Sequence, residues 1–321
     1  MTAPADLGAL GALRPLLGEV GDAKRIRVAS APGSLAEQAF GRAWSRLARG
    51  DEPEDVALSE TAAALVRVRL AGIDASVLAD AGLSEAHVPS VLERAFDEVS
   101  EPVAPALRKR LRAALTVAPV APVAPMAPMA PMAQPAPNQV QDQVPALATT
   151  LARQPRAGAT CPGLPRLIVE PPESHADHCL TVAVYGVLVA PAFGADPVAP
   201  FLVGLAHHLH NVRLPDAGFT GEVLLGEHLP RVMARFEDRE LDTLPTRLAE
   251  RLRIVLRLRA DAQAPESQAF HAADVLDRVL QVHHHARAAA FTAEQALDDL
   301  QLVHAGPVQT FHESVLQAAG L

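Results

Sequence analysis

The chain has 321 residues and a mass of 33.8 kDa, which suits about two domains of ordinary size. Apolar residues make up 49% and charged residues 20%, so the chain can bury a sizeable core and need not be disordered. A net charge of −9 argues against a nucleic-acid binder, and only two cysteines, Cys161 and Cys179, exclude a disulfide scaffold or a four-cysteine zinc module and point to a reducing, cytoplasmic setting.

The first twenty residues lack the basic-then-apolar order of a secretory signal. From about Arg25 to Leu115 the pattern is helical. SLAEQAFGRAWSRLARG places Leu35, Ala39, Phe40, Ala43, Trp44 and Leu47 at helical spacing, with Gly50 as the stop. Ser59 reads as the N-cap of the helix that follows, and two more amphipathic helices precede the end of the segment. Residues 1–115 hold no catalytic cluster. They read as a small helical module, either one that binds a protein partner or mediates oligomerisation, or a bundle with no activity of its own.

Residues 117–137 read VAPVAPVAPMAPMAPMAQPAP. Proline every third residue removes the N–H groups that a helix needs and favours extended polyproline II, so 116–163 is expected to be a Pro/Ala-rich linker. The methionines there, Met126, Met129 and Met132, are members of a degenerate repeat rather than a soft-metal site.

After the linker, residues 164–321 are expected to be all-α, with helices over 176–189, 200–211, 221–236, 246–258, 267–286, 292–303 and 307–319. The stretch 181–206 is nearly uncharged, but Asp196, Pro191, Pro197 and Pro200 break it below the length of a spanning helix. Two buried helices joined by a turn, and no membrane, are the expectation.

Of 13 histidines only His87 precedes the linker. Histidine is the commonest neutral metal ligand, so its crowding into an acidic helical region marks a candidate metal site. ESHADHCLTVA carries His178 near the start of an apolar helix. FLVGLAHHLHNVRLPD ends a buried helix in His207, His208 and His210. SQAFHAADVLDRVLQV carries Asp274 in an apolar helical stretch, where a lone carboxylate needs a partner. A divalent ion held by His178, His207 and Asp274, with a further ligand from the tandem histidines, meets that need.

These three motifs, in this order, resemble the HD-domain superfamily of metal-dependent phosphohydrolases. The resemblance covers about residues 164–321 and none of the N-terminal module. It implies an HD-domain-like helical bundle that hydrolyses a nucleotide or another phosphorylated small molecule. It implies His178, His207, His208 and Asp274 as ligands of a divalent ion (Mn, Fe, Zn, Ni or Co), with Glu173 and Asp177 matching acids of the first motif. His228, in GEVLLGEHL, is the candidate for a second ion, as in binuclear members. Arg166 is the candidate for substrate phosphate.

Two positions depart from the family pattern. His208 stands where the usual His-Asp pair has Asp, and imidazole can replace carboxylate as a ligand. Asn211 stands where the nucleotidase-like branch has its catalytic Glu, and an amide does not titrate usefully. The acid–base role would then fall to Asp216 or His210. The alternatives are a non-catalytic HD-like module for signalling or assembly, and a metal-binding sensor. Among the remaining candidates, His271 lies one helical turn from Asp274, His283-His284-His285 read as a helix end, the arginines from Arg247 to Arg259 read as a solvated face, and Cys179 as a buried structural residue.

Overall fold

The computed structural model describes residues 7–117, 144–164, 166–168, 170–290 and 309–319. Among them the protein is all-α apart from one antiparallel hairpin, Arg27–Val28 (β1) with Ala31–Ser34 (β2). It divides into two compact units, Met1–Leu280 and Gln281–Leu321.

In chain order the helices before the Ala-Pro repeat are Gly8–Gly21 (α1), Leu35–Arg49 (α2), Pro53–Arg69 (α3), Ala75–Asp80 (α4), His87–Val99 (α5) and Pro105–Val117 (α6). After it come Ala146–Arg153 (α7), His175–Phe193 (α8), Val198–Ala206 (α9), Gly218–Leu225 (α10), Leu229–Leu241 (α11), Thr246–Leu258 (α12), Pro265–Ala289 (α13) and Gln309–Ala319 (α14).

The axis of the first unit is α8. Ser174 starts it with a reciprocal capping box to Asp177, and Gly194 in the left-handed region stops it. Beyond the polar residues of its first two turns the helix is apolar on every side and almost wholly buried, as a helix without a polar face must be. It is long and apolar enough to cross a membrane by those two measures, yet here α1, α2, α3, α7 and α9 all pack against it. The two buried helices joined by a turn that the sequence suggested are α8 and α9.

The contact of α8 with α9 depends on glycine. A Cβ on Gly204 would lie 2.5 Å from Ala183 Cα and 2.6 Å from Ala183 N. A Cβ on Gly186 would meet Pro200 Cβ at 2.9 Å. Without side chains at these two positions the helices approach closely enough for their ends to share one site.

The packing corrects the expected domain split. Residues from both sides of the repeat form a single core, with Leu17, Phe40, Trp44 and Leu65 in the same cluster as Leu180, Tyr185, Phe201 and Leu252. The Tyr185 hydroxyl donates to the Leu17 carbonyl, and Ser34 Oγ donates to Asp177. Hence the described residues of 1–115 and 164–280 pack as one unit rather than as separate modules, and the chain divides after Leu280 instead. The expected linker is also too long at its C-terminal end, because α7 buries Leu147, Ala148 and Leu151. The repeat itself, over residues 118–143, lies outside the described residues.

Several helix limits move for local reasons. Ser59 is not an N-cap: α3 begins at Pro53, where proline at the first position needs no donor, and Ser59 bonds back to the Asp55 carbonyl. The helix expected over 221–236 is interrupted by Gly226, at φ 50°, into α10, a 3₁₀ turn at Gly226–His228, and α11. The helix expected over 200–211 ends at Ala206 and passes into a 3₁₀ turn at Leu209–Val212. The limits of α12 coincide with the expected 246–258. His283, His284 and His285 lie inside α13, which runs on to Ala289. The helix expected over 292–303 lies outside the described residues.

Candidate metal centre

Three elements of the first unit meet at one point. His178 lies in the first turn of α8, His207 at the C-terminal end of α9, and Asp274 on α13. His178 Nε2 is 3.1 Å from His207 Nε2 and 3.3 Å from Asp274 Oδ1. Both rings are buried, and Asp274 is 21% exposed at the rim. Ligand atoms of His178, His207 and His208 also lie within 4.8 Å of one another.

The hydrogen bonds around the rings decide what these atoms are. His178 Nδ1 faces Asp277 Oδ2 at 2.7 Å, and Asp277 is held ionised below the usual carboxylate range, because Lys24 and His178 outweigh the opposing effect of burial. A carboxylate only accepts, so His178 Nδ1 carries the proton. His207 Nδ1 faces the Gly204 carbonyl at 2.8 Å, and it too must donate. In the neutral rings both Nε2 atoms are therefore bare lone pairs pointed at each other, with the Asp274 carboxylate beside that of His178. No donor lies between the two rings. A proton on His207 is a poor filler, since burial, and then His178, push that imidazole well below its ordinary value. A cation between the two rings, where His208 also offers a ligand atom, satisfies both lone pairs, with the Asp274 carboxylate beside His178 to balance its charge. Asp274 is held well below the usual carboxylate range against the opposing effect of burial, because positive charge on the His178–His207 pair, with Arg278 beside it, favours the ionised carboxylate.

His208 is engaged differently. Its Nδ1–H donates to Asn211 Oδ1 at 2.7 Å, and the Asn211 amide donates in turn to the Leu214 carbonyl at 2.9 Å. His208 Nε2 is thus also an acceptor, and Arg156 Nη1 donates to it at 2.8 Å. A guanidinium occupies the lone pair that the resemblance assigned to metal.

Arg156 leads to a polar wall beside the centre. Its Nε lies 3.9 Å from both Glu173 Oε2 and Asp216 Oδ2. Asp216 accepts from the backbone amides of Ala157 and Gly218, each at 2.9 Å. Those amides, with Arg156 and His175, outweigh the opposing effect of burial and hold its carboxyl below the ordinary value. It is a fixed carboxylate and cannot donate a proton. His175 Nδ1–H donates to the Gln154 carbonyl at 3.0 Å, which leaves Nε2 a buried acceptor without a hydrogen-bond partner, 3.7 Å from Asp216. Burial pushes His175 down to about 4. His210 is buried as well, its Nδ1 without a partner, and burial followed by the charge of Arg259 pushes it down to about 4.

On the far side of His178 lies Lys24, 3% exposed, from the turn that follows α1. Its ammonium contacts Asp277 Oδ1 at 2.6 Å and Oδ2 at 2.8 Å, and it also pairs with Glu173. Burial opposes the Lys24 charge, but Asp277 and Glu173 more than offset it, so its pKa lies above the ordinary value.

The structure thus gathers His178, His207, His208 and Asp274, with His210 and Asp216 close behind. It leaves two candidates outside. Arg166 is exposed, and it is Arg156 that reaches the centre. His228 is exposed on its 3₁₀ turn and belongs to neither close group of ligand atoms among the described residues; Asp274 is outside both groups too, and touches the centre only through His178. His271 bonds the Arg259 carbonyl at 2.9 Å rather than the centre. Cys179 is fully buried, which holds its thiol far above the usual range, as befits an inert residue.

Sequence reasoning missed Asp277, His175, Arg156 and Lys24. A signal existed for two of them. Asp277 is three residues after Asp274 and His175 three before His178, so each pair shares a helical face. Arg156 lay inside the supposed linker and Lys24 in the supposed separate module. Compared with known proteins, the chain matches no family model, no curated protein and no solved structure.

Proposed function

We propose that the chain is an HD-domain-like, divalent-metal-dependent phosphohydrolase acting on a nucleotide or another phosphate ester. The observation that carries this reading is the approach of His207 Nε2 and Asp274 Oδ1 to His178 Nε2, at 3.1 and 3.3 Å, with both rings' Nδ1 atoms turned to other acceptors. The order of the motifs along the chain supports the HD-like assignment. His178, His207 and Asp274 would hold the ion, and His208 would join them when Arg156 turns to substrate. Two or three imidazoles with one carboxylate suit Mn, Fe, Co, Ni or Zn. Bound there, the ion supplies Lewis acidity toward a phosphoryl oxygen and a more acidic water.

The chain's own groups have separable tasks. Arg156 offers a planar fork of donors to phosphate oxygens, a role the sequence had suggested for Arg166. Asp216 orients Arg156 and fixes the rim through its backbone bonds. His175 Nε2 accepts a hydrogen bond from a substrate hydroxyl or water at that wall. None of these groups is a strong acid, so the leaving group has to be a good one or be protonated by solvent.

The test is elemental analysis of the purified full chain together with hydrolysis of nucleoside monophosphates and a generic phosphate ester, with and without chelator. About one transition ion per chain and chelator-sensitive phosphate release are expected. A folded chain with no ion, indifferent to chelator, overturns the reading.

Asn211 favours a second reading, a metal-binding module without turnover that serves sensing or assembly. Its amide is committed to His208 and Leu214 and transfers no proton. Stoichiometric metal with no phosphate release on the whole panel supports that reading.

A further inference from the structure

We propose that Lys24 is a positioning residue of the metal centre, supplied by the N-terminal part of the chain. Its ammonium fixes the Asp277 carboxylate, and Asp277 fixes the His178 ring. The inference rests on the metal-centre reading and extends it to a residue outside the three motifs.

The geometry is a relay of direct contacts. Lys24 Nζ spans both oxygens of Asp277, at 2.6 and 2.8 Å, so the carboxylate cannot rotate without breaking one contact. Oδ2, one of the two clamped atoms, is the acceptor of His178 Nδ1–H at 2.7 Å. The opposite nitrogen of that ring then faces His207 and Asp274. Carboxylates that orient metal-bound histidines in this way usually tune affinity markedly.

The surroundings of Lys24 suit this role better than a general stabilising one. The side chain is 3% exposed, and its two ion-pair partners, Glu173 and Asp277, stand at opposite ends of the candidate site's sequence. Glu173, His178 and Asp277 have ligand atoms within 4.8 Å of one another, a group able to take a cation. Lys24 puts the chain's own cation there. The centre is therefore built for one ion beside His207, with the carboxylates behind His178 already neutralised. Among the described residues Lys24 is the cation shown on Asp277, while Arg156 reaches only Glu173 of the two carboxylates, at 3.9 Å, so the N-terminal part of the chain contributes to the site.

The experiment uses the full chain as wild type, Lys24→Met, Asp277→Asn and the double variant. Zn²⁺ affinity is read by competition with a chromophoric chelator. Ring ¹⁵N shifts of His178 are read in the metal-free protein. Lys24→Met should weaken Zn²⁺ binding by about 10- to 100-fold, as should Asp277→Asn. The double variant should match Asp277→Asn within about twofold, because both changes break the same relay. His178 should hold its proton on Nδ1 in the wild type and show mixed tautomers in Lys24→Met. Unchanged Zn²⁺ affinity and tautomer in Lys24→Met overturn the proposal whatever the melting temperature does, and so do fully additive losses in the double variant. Should Lys24→Met fail to fold, Lys24→Gln keeps a polar tip in the same space and takes the same measurements. A wild type that binds no Zn²⁺ refutes the metal reading instead, and the tautomer comparison then judges the Lys24 relay by itself.

Discussion

Asp277 accepts the Nδ1–H of His178 at 2.7 Å, and that single hydrogen bond decides which nitrogen of the ring faces the centre. Were the proton on Nε2 instead, it would point at His207 Nε2, 3.1 Å away, and close the gap with an ordinary hydrogen bond. With the proton fixed on Nδ1, and His207 fixed likewise by the Gly204 carbonyl, the gap keeps two lone pairs and a carboxylate. The metal binding proposed for the site depends on these backing contacts as much as on the atoms that would face the ion.

Asp274 is the sharpest test among the ligands. Asp274→Asn keeps the size and removes the charge that would balance an ion. Asp274 is at the rim and its other partner, Arg278 at 3.1 Å, is half exposed, so stability should change by no more than about 1 kcal/mol. Metal content should fall at least about tenfold, as expected when a ligand is lost. Elemental analysis beside a thermal melt checks both. An unchanged metal content would mean that Asp274 only bonds His178 across the helix contact.

Arg156→Ala separates binding of metal from binding of substrate. The variant releases His208 Nε2 from its 2.8 Å contact, so metal affinity should hold or rise. Hydrolysis of a phosphate ester should fall by about 100-fold in kcat/KM, the scale seen when one donor to a developing oxyanion is removed. Loss of metal together with activity would place Arg156 in the support of the ligands rather than against phosphate.

The residues legible in the sequence were those whose neighbours along the chain announce them. His178 follows a helix cap, His207 ends an apolar run, and Asp274 is a lone acid in an apolar stretch. The helical class and the limits of α12 were legible for the same reason, since periodicity is local. Lys24 was not: its bond to Asp277 spans 253 positions, and nothing near it distinguishes it from a surface lysine. Arg156 was hidden by the composition of the linker around it. The domain split failed because a repeat in the chain says where packing stops locally, while the helices on its two sides remain able to pack on each other.

Gly204 holds α9 against α8, and Gly204→Ala tests how tightly the site depends on that approach. The added Cβ would sit 2.5 Å from Ala183 Cα, so the helices must part. Overpacking of this kind costs about 1–3 kcal/mol. His207 is three residues further on and its Nδ1–H bonds the Gly204 carbonyl, so metal content should fall along with stability. Ala183→Gly should not rescue the variant, because the nearest obstacles are the Ala183 backbone N and Cα rather than its methyl group. Chemical denaturation and elemental analysis of the two variants and their combination check this. Full rescue would mean that the contact is looser than the structure has it.

The shared core makes a prediction about cleavage that runs against the sequence expectation of two independent halves. Proline-rich repeats are accessible to proteases, so limited proteolysis should cut within residues 118–143. The pieces should nevertheless stay together. Lys24 pairs with Glu173 and Asp277, Ser34 with Asp177 and Leu17 with Tyr185, and the helices α1, α2 and α3 cover the almost wholly buried α8. Separating them would expose α8 to water along much of its length and leave Glu173 and Asp277 without their cation, which is strongly destabilising for a buried pair. The nicked protein should therefore elute as one species by size exclusion and keep its metal until denaturant is added. Residues 144–321 produced alone should be largely unfolded, with little metal, and should recover both on refolding with residues 1–117. A C-terminal fragment that folds and binds metal unaided would show that the N-terminal helices only decorate the centre, and Lys24 with them.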